Sequence, residues 1–424
     1  MTNAAQSKNN IKIYSYTNEH LHSFCICFYI KTGSMYETKD TIGISHFLEH
    51  MIFRNINFVS GYNLYETLDN LGLAFSASTC KEFVQFSITG APRKFKSACD
   101  IITKIFLPLD KTLPKDEFEA ERKRIKAEIR EDDDKRTIEY IAKSSVWENT
   151  SLANLITGTI GNVNKIKMKH LAEEKDKVFS ASNVFCYVTG NVPQENMKYL
   201  AEKISEYEIS ENGVCRNNIA PVPENFFKRN CKVVTKQEDY CMAQICFDVD
   251  NKKVSKEERS ILYDMIFSGD SCAMFRELSE KYGYVYSYDA RLEEYRNIGS
   301  LSFSFEVEYK NLYSSLEAVA EICEKMKETP QGLEKAKVYY TDNIEMMLDN
   351  AEELNFTMAY ENYILNENFD TIEKKKEKYL KINEENIKKA SREIFRNSNL
   401  VVAVKGDKKK INAEKIKKIF AKLN

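Results

Sequence analysis

Residues 23–30, which include FCICFYI, and residues 241–249 both carry apolar and aromatic side chains without a breaker. Runs of that length predict strands covered on both faces. A helical period follows each of them, ISHFLEHMIF in the first half and RSILYDMIF in the second, so Met51-Ile52-Phe53 and Met265-Ile266-Phe267 stand at matching places. The next segments match as well: LYETLDNLGLAFSASTCKEFVQFSITG and FRELSEKYGYVYSYDARLEEYRNIGSLSFSFEV. In both, an amphipathic helix stops at a glycine (Gly72, Gly283), where a left-handed cap carries no steric penalty, and a hairpin of alternating apolar residues comes next. Another helix is then predicted over SACDIITKIFLPL and SSLEAVAEICEKM, and a charged one over residues 115–140 and 333–350.

Repetition at this scale predicts a duplicated unit. The expected fold class is α+β, with two homologous domains that each pack an antiparallel sheet with helices. The segment ISENGVCRNNIAPVPENFFKRN has two prolines, several asparagines and no sustained period, which reads as a connection. The expected boundaries are therefore 1–210 for the first domain, 211–230 for the linker and 231–424 for the second.

Composition narrows the function. In 424 residues, 62 basic side chains nearly balance 64 acidic ones, and a net charge of −2 gives no electrostatic reason to expect nucleic acid or an anionic membrane as partner. The longest apolar run is far short of the roughly 20 residues that span a bilayer, and MTNAAQSKNNIKIYS does not read as a signal peptide. The 11 cysteines are odd in number and form no CxxC pair, and several sit within apolar runs. A reducing, cytoplasmic location is expected.

Two of the five histidines, His46 and His50, lie four residues apart within GISHFLEHMIF. On a helix that spacing puts both rings on one face, able to direct nitrogens to a single point. Glu49 projects to nearly the same side and can reach a water on a metal without binding the metal itself, as the proton-transferring carboxylate of an inverted HxxEH zinc motif does. Aligned on Met-Ile-Phe, the second half carries Ser260, Tyr263 and Asp264 at these three places, so the fold does not need the histidines. A catalytic zinc takes three protein ligands and keeps one position open. The third is expected from the helix PKDEFEAERKRIKAEIRED, where spacing alone leaves Glu121, Glu128 and Glu131 open.

With these residues in place, the chain resembles the M16 family of peptidases, the pitrilysin and insulin-degrading enzyme group, and above all its short bacterial members and the mitochondrial processing peptidase. The resemblance runs through KTGSMYET, GISHFLEHMIF, AFSASTCKEF, ERKRIKAEIRE, LITGTIGNV, NVFCYVTGNV and EKYGYVYS. It implies a duplicated M16/LuxS-like metallohydrolase fold forming half of a clamshell. It implies Zn2+ held by His46, His50 and Glu128, with Glu49 as general base and Glu121 supporting the site. It also implies a peptide substrate, short or unfolded, added as a strand beside the metal, with Ser76 and Ala77 in the contact positions.

One place departs from the family pattern. Self-sufficient members carry an arginine and a tyrosine seven residues apart in the second domain, and here LSEKYGYVY keeps the tyrosine as Tyr286 but has Ser279 where the arginine is expected, with Arg276 three residues earlier. Serine cannot supply a fixed cationic fork. The resemblance thus implies a heterodimer in which a homologous partner without zinc supplies the missing groups, in a setting such as peptide maturation or leader removal. The alternatives are a self-sufficient homodimeric peptidase and a non-catalytic scaffold subunit.

Overall fold

The computed structural model describes residues 2–109, 112–131, 134–210, 213–365 and 370–423. Its strands are β1 (Thr2–Gln6), β2 (Lys12–Thr17), β3 (Phe24–Ile30), β4 (Ala74–Thr79), β5 (Val84–Gly90) and β6 (Val184–Gly190) in one sheet. A second sheet holds β7 (Lys232–Lys236), β8 (Met242–Asp250), β9 (Tyr288–Glu294), β10 (Ile298–Glu306) and β11 (Leu400–Lys405). The spatial orders are β1-β2-β6-β3-β5-β4 and β7-β11-β8-β10-β9. Set β1 aside and the two are the same sheet, strand for strand in chain order. The fold is α+β, as expected, and each sheet is antiparallel except for one parallel pair, β2 with β6 and β11 with β7.

Both runs that open the repeat are central strands. β3 is buried along its whole length. Phe24, Ile26, Phe28 and Ile30 share a core with Phe47, Met51 and Ile52 of α1 (Ile44–Ser60). That core also takes Leu64 and Leu68 of α2 (Leu64–Leu71), Phe95 and Ile102 of α3 (Phe95–Ile102), and Phe118 and Ile125 of α4 (Lys115–Glu131). The opposite face of β3, with Cys25, Cys27 and Tyr29, needs a cover of its own, because a strand buried on both faces must be packed from both sides.

That cover comes from far along the sequence. The chain divides into a first unit of Met1–Asp133, Asn154–Asn218 and Met346–Phe369, and a second of Asp134–Ala153, Ile219–Glu345 and Asp370–Asn424. This division departs from contiguous domains of 1–210 and 231–424 by two exchanged helical segments. In the first unit the helix Ala351–Ala359 packs on β3 and β6. Its Asn355 amide donates to the carbonyls of Tyr187 (2.8 Å) and Cys25 (3.3 Å) and accepts from the Tyr29 hydroxyl at 3.0 Å. In the second unit α5 (Ile138–Val146) packs on β8 and β11 in the equivalent manner.

The charged helix expected over 115–140 is two elements. α4 ends at Glu131, and α5 starts afresh where the Thr137 hydroxyl accepts from the Tyr140 N–H at 3.1 Å. A threonine N-cap outweighs the continuing charged pattern. At the far end of α5, Arg229 donates to the Ser145 carbonyl at 2.8 Å and to the Val146 carbonyl, while its Nε donates to Asp248 Oδ2 on β8 at 2.8 Å. Both charged side chains are fully buried. Trp147, the single tryptophan, follows and stacks on Phe226 at 5.2 Å.

Two outcomes follow from these burials. Arg229→Met leaves Asp248 buried without its cation, so urea unfolding of the second unit should show a loss of about 3–5 kcal/mol. In the first unit, burial of Lys175 pushes its ammonium down to about 7 from an ordinary value of 10.5, and its Nζ donates to the Leu107 carbonyl. Between those two values the unfolded chain binds a proton that the folded chain lacks, so this lysine makes stability rise with pH across that window. Stability measured from pH 7 to 10 should rise less steeply in Lys175→Met than in the parent chain.

Candidate metal centre

The HxxEH helix is built to start at one place. Gly43 sits at its N-cap with φ 87, a left-handed conformation, and a Cβ there would lie 2.8 Å from the Thr157 carbonyl oxygen. The Glu37 carboxylate accepts from the N–H groups of Gly43 (2.8 Å) and Ser45 (2.9 Å), meeting donors that a helix start leaves unpaired. The helix is thereby fixed in rotation. Phe47, Leu48, Met51 and Ile52 go to the core, and His46 and His50 emerge together, ring centroids 4.6 Å apart.

Across from them, α4 turns Phe118 and Ile125 into the core and presents Glu121 and Glu128 to α1. Glu128 lies 3.3 Å from His46 Nε2 and 3.7 Å from His50 Nε2. Of the three glutamates left open by spacing, only Glu128 joins the two histidines in a group whose donor atoms all lie within 4.8 Å of one another. Two donors on one tetrahedral zinc, each about 2.0–2.1 Å from the ion, are about 3.4 Å apart. The cluster therefore fits that ion. No fourth His, Cys, Asp or Glu joins it among the described residues, so the donor set is that of an open site. His46 Nδ1 is buried without a polar partner among the described residues, which leaves Nε2 as the nitrogen that faces oxygen.

Glu121 takes a different place. It is 2% exposed, and its Oε1 lies 2.8 Å from His50 Nδ1, behind the ring and away from the cluster. Burial pushes this carboxyl up, but the hydrogen bonds and charges of His50 and Arg54 outweigh that and bring it down to about 2. An ionised carboxylate in that position accepts a hydrogen bond from Nδ1–H, keeps the proton on that nitrogen and leaves Nε2 bare for a metal. Glu128 is also held below the ordinary carboxylate range, first through its contact with His46.

Glu49 points to the β4 side, where the Thr79 hydroxyl donates to its Oε2 at 2.5 Å. β4 is the edge of its sheet, paired only with β5 among the described strands. Ser76 and Ala77, read from the sequence as peptide contacts, line a cavity of about 330 Å³ that Glu49, His50, Phe53, Tyr65 and Phe75 also line. Tyr286 stands in the second unit and is 99% exposed. In the same unit Ser279 lies on a π-helical turn, and its hydroxyl donates to the Val285 carbonyl at 2.7 Å, closing the loop before Tyr286.

Three contributors went unread in the sequence: Glu37, Thr79 and Arg54. Arg54 alone left a signal, since it repeats the four-residue spacing of His46 and His50.

Comparison with known proteins gives the family and the fold. Residues 12–160 match the model of insulinase, peptidase family M16, and residues 165–340 match that of the peptidase M16 inactive domain. The second match covers Ser260, Tyr263 and Asp264, the places where the ligand types are missing. The chain is 22% identical over 353 residues to the uncharacterized zinc protease YmxG of Bacillus subtilis, covering 81% of this chain and 83% of that one. It is 28% identical over 169 residues to the beta subunit of the mouse mitochondrial-processing peptidase, covering 39% of this chain and 34% of that one. Among solved structures, a protease from Helicobacter pylori superimposes with a TM-score of 0.81 at 15% identity, over 96% of this chain and 99% of that one.

The arrangement makes a prediction about metal affinity. Glu121→Ala removes the support behind His50 without touching a donor, and zinc competition with a chromophoric chelator should report an affinity about 10–100-fold weaker. His46→Ala should abolish stoichiometric uptake.

Proposed function

Because the chain belongs to peptidase family M16, we propose that it is a zinc-dependent endopeptidase with His46, His50 and Glu128 as ligands and Glu49 as general base. The observation that carries this reading is the convergence of an open three-donor cluster with a separately held carboxylate. Bound there, zinc would supply the Lewis acidity that brings water toward ionisation near neutral pH. Glu49 would take the proton of the attacking water and pass it to the departing amine. The bond from Thr79 ties down one carboxylate oxygen and leaves the other to move the proton.

Edge strand β4 supports a peptide substrate. Its outward N–H and C=O groups can pair with an extended chain, and Ser76 and Ala77 sit where such a chain would pass Glu49. Main-chain pairing selects extended conformation, so short or unfolded peptides are the substrates we propose. Tyr286 would help hold and polarise the substrate, and a homologous partner chain would supply the cationic fork absent at Ser279. The Ser279 hydroxyl is committed to the Val285 carbonyl, and the relative named as a subunit supports a two-chain arrangement. A cytoplasmic location goes with this reading. No helix among the described residues is long and apolar enough to cross a membrane.

The test is hydrolysis of a pool of unstructured fluorogenic peptides by the zinc-loaded chain, with and without a homologous zinc-less subunit. Glu49→Gln should retain zinc and lose about 10²–10⁴-fold in kcat. Full turnover by that variant would remove Glu49 from the chemistry. Equal turnover with and without the added subunit would favour the self-sufficient homodimer over the heterodimer.

A further inference from the structure

Arg54 stands four residues after His50, as His50 does after His46, so the three share one face of α1. Its guanidinium grips α4. Nη2 and Nε donate to Glu121 Oε2 at 2.7 and 3.2 Å, and Nη1 donates to Glu117 Oε2 at 2.8 Å. The remaining Glu121 oxygen, Oε1, faces His50 Nδ1 at 2.8 Å.

We infer that Arg54 is a positioning residue of the metal centre: by clasping one oxygen of Glu121 it fixes the other on His50 Nδ1, and thereby aims His50 Nε2 at Glu128. The inference rests on the reading of His46, His50 and Glu128 as a zinc site.

The argument is one of rotational freedom. A carboxylate turns about its terminal bond through a broad, roughly two-fold well, and a single hydrogen bond to an imidazole leaves that rotation open. Glu121 is too buried for water to hold its second oxygen. Two donors of a planar guanidinium converging on that oxygen set both the plane and the position of the carboxylate. A lysine ammonium at the same place would supply charge but no plane. The two arms of Arg54 are unequal. The Glu117 side chain is 40% exposed and that of Glu121 is 3% exposed, so solvent screens the first pairing and spares the second.

The experiment compares Arg54→Met, Arg54→Lys and Glu117→Gln with the parent chain by three readouts, after thermal unfolding has shown which variants fold. They are the 15N shifts of His50 in the metal-free chain, zinc affinity by chelator competition, and the visible spectrum of the cobalt-substituted protein at saturation. Arg54→Met should release His50 from a fixed Nδ1–H tautomer, weaken zinc about 10-fold, at the low end of what loss of an outer partner costs, and alter the cobalt spectrum. Arg54→Lys should fall between it and the parent, and Glu117→Gln should stay within about two-fold. Arg54→Met that folds and matches the parent in tautomer, affinity and spectrum would overturn the inference. So would Arg54→Lys that matches the parent in all three, should Arg54→Met fail to fold. Failure of the parent chain itself to take up zinc would instead overturn the peptidase reading beneath it.

Discussion

Everything at the candidate centre depends on how α1 is held in rotation about its own axis. A helix that buries Phe47, Met51 and Ile52 against a sheet has one orientation in which His46 and His50 face a neighbour and Glu49 faces the edge strand. A turn of one residue, about 100°, would scatter them. Apolar packing sets that rotation to within a side chain's width. The finer setting is polar: Glu37 at the start of the helix and Arg54 beyond the histidines bind it to its surroundings. The site is an electrostatic object assembled on a hydrophobic one.

The division of labour between Glu121 and Glu128 illustrates how position on a helix becomes chemical role. Both are glutamates on α4, seven residues apart and on one face. One lies behind the His50 ring, nearly closed to solvent, and the other in front of it, partly exposed. The same carboxylate thus becomes a support in one place and a donor in the other.

Much of this was legible before any coordinates. The repeat of strand, helix, helix and hairpin was visible because each element carried its own period and stop signal, and the two sheets reproduce it. HxxEH was legible because i and i+4 are neighbours on any helix. The choice among Glu121, Glu128 and Glu131 was not, since all lie on a charged helix whose placement across α1 is a tertiary fact. Thr79 and Glu37 were hidden for the same reason: a threonine at a strand's end or a glutamate in a loop has no local pattern to announce its partner. The exchanged helices left no trace either, because nothing in the local pattern of α5 or Ala351–Ala359 says which sheet each covers.

That exchange bears on how the chain is made. Synthesis runs from the N-terminus, yet one face of the first sheet is covered by Ala351–Ala359 and by Tyr363 just beyond it, with Asn355 bonded to β3 and β6 and Tyr363 against Tyr14, Phe185 and Tyr187. Until that segment leaves the ribosome, Cys25, Cys27 and Tyr29 on β3 and Tyr187 on β6 lack the helix that packs over them. The strands that open the chain are therefore covered on that face only after about 300 further residues have been translated, and through that interval the apolar side chains of β3 lack their native packing.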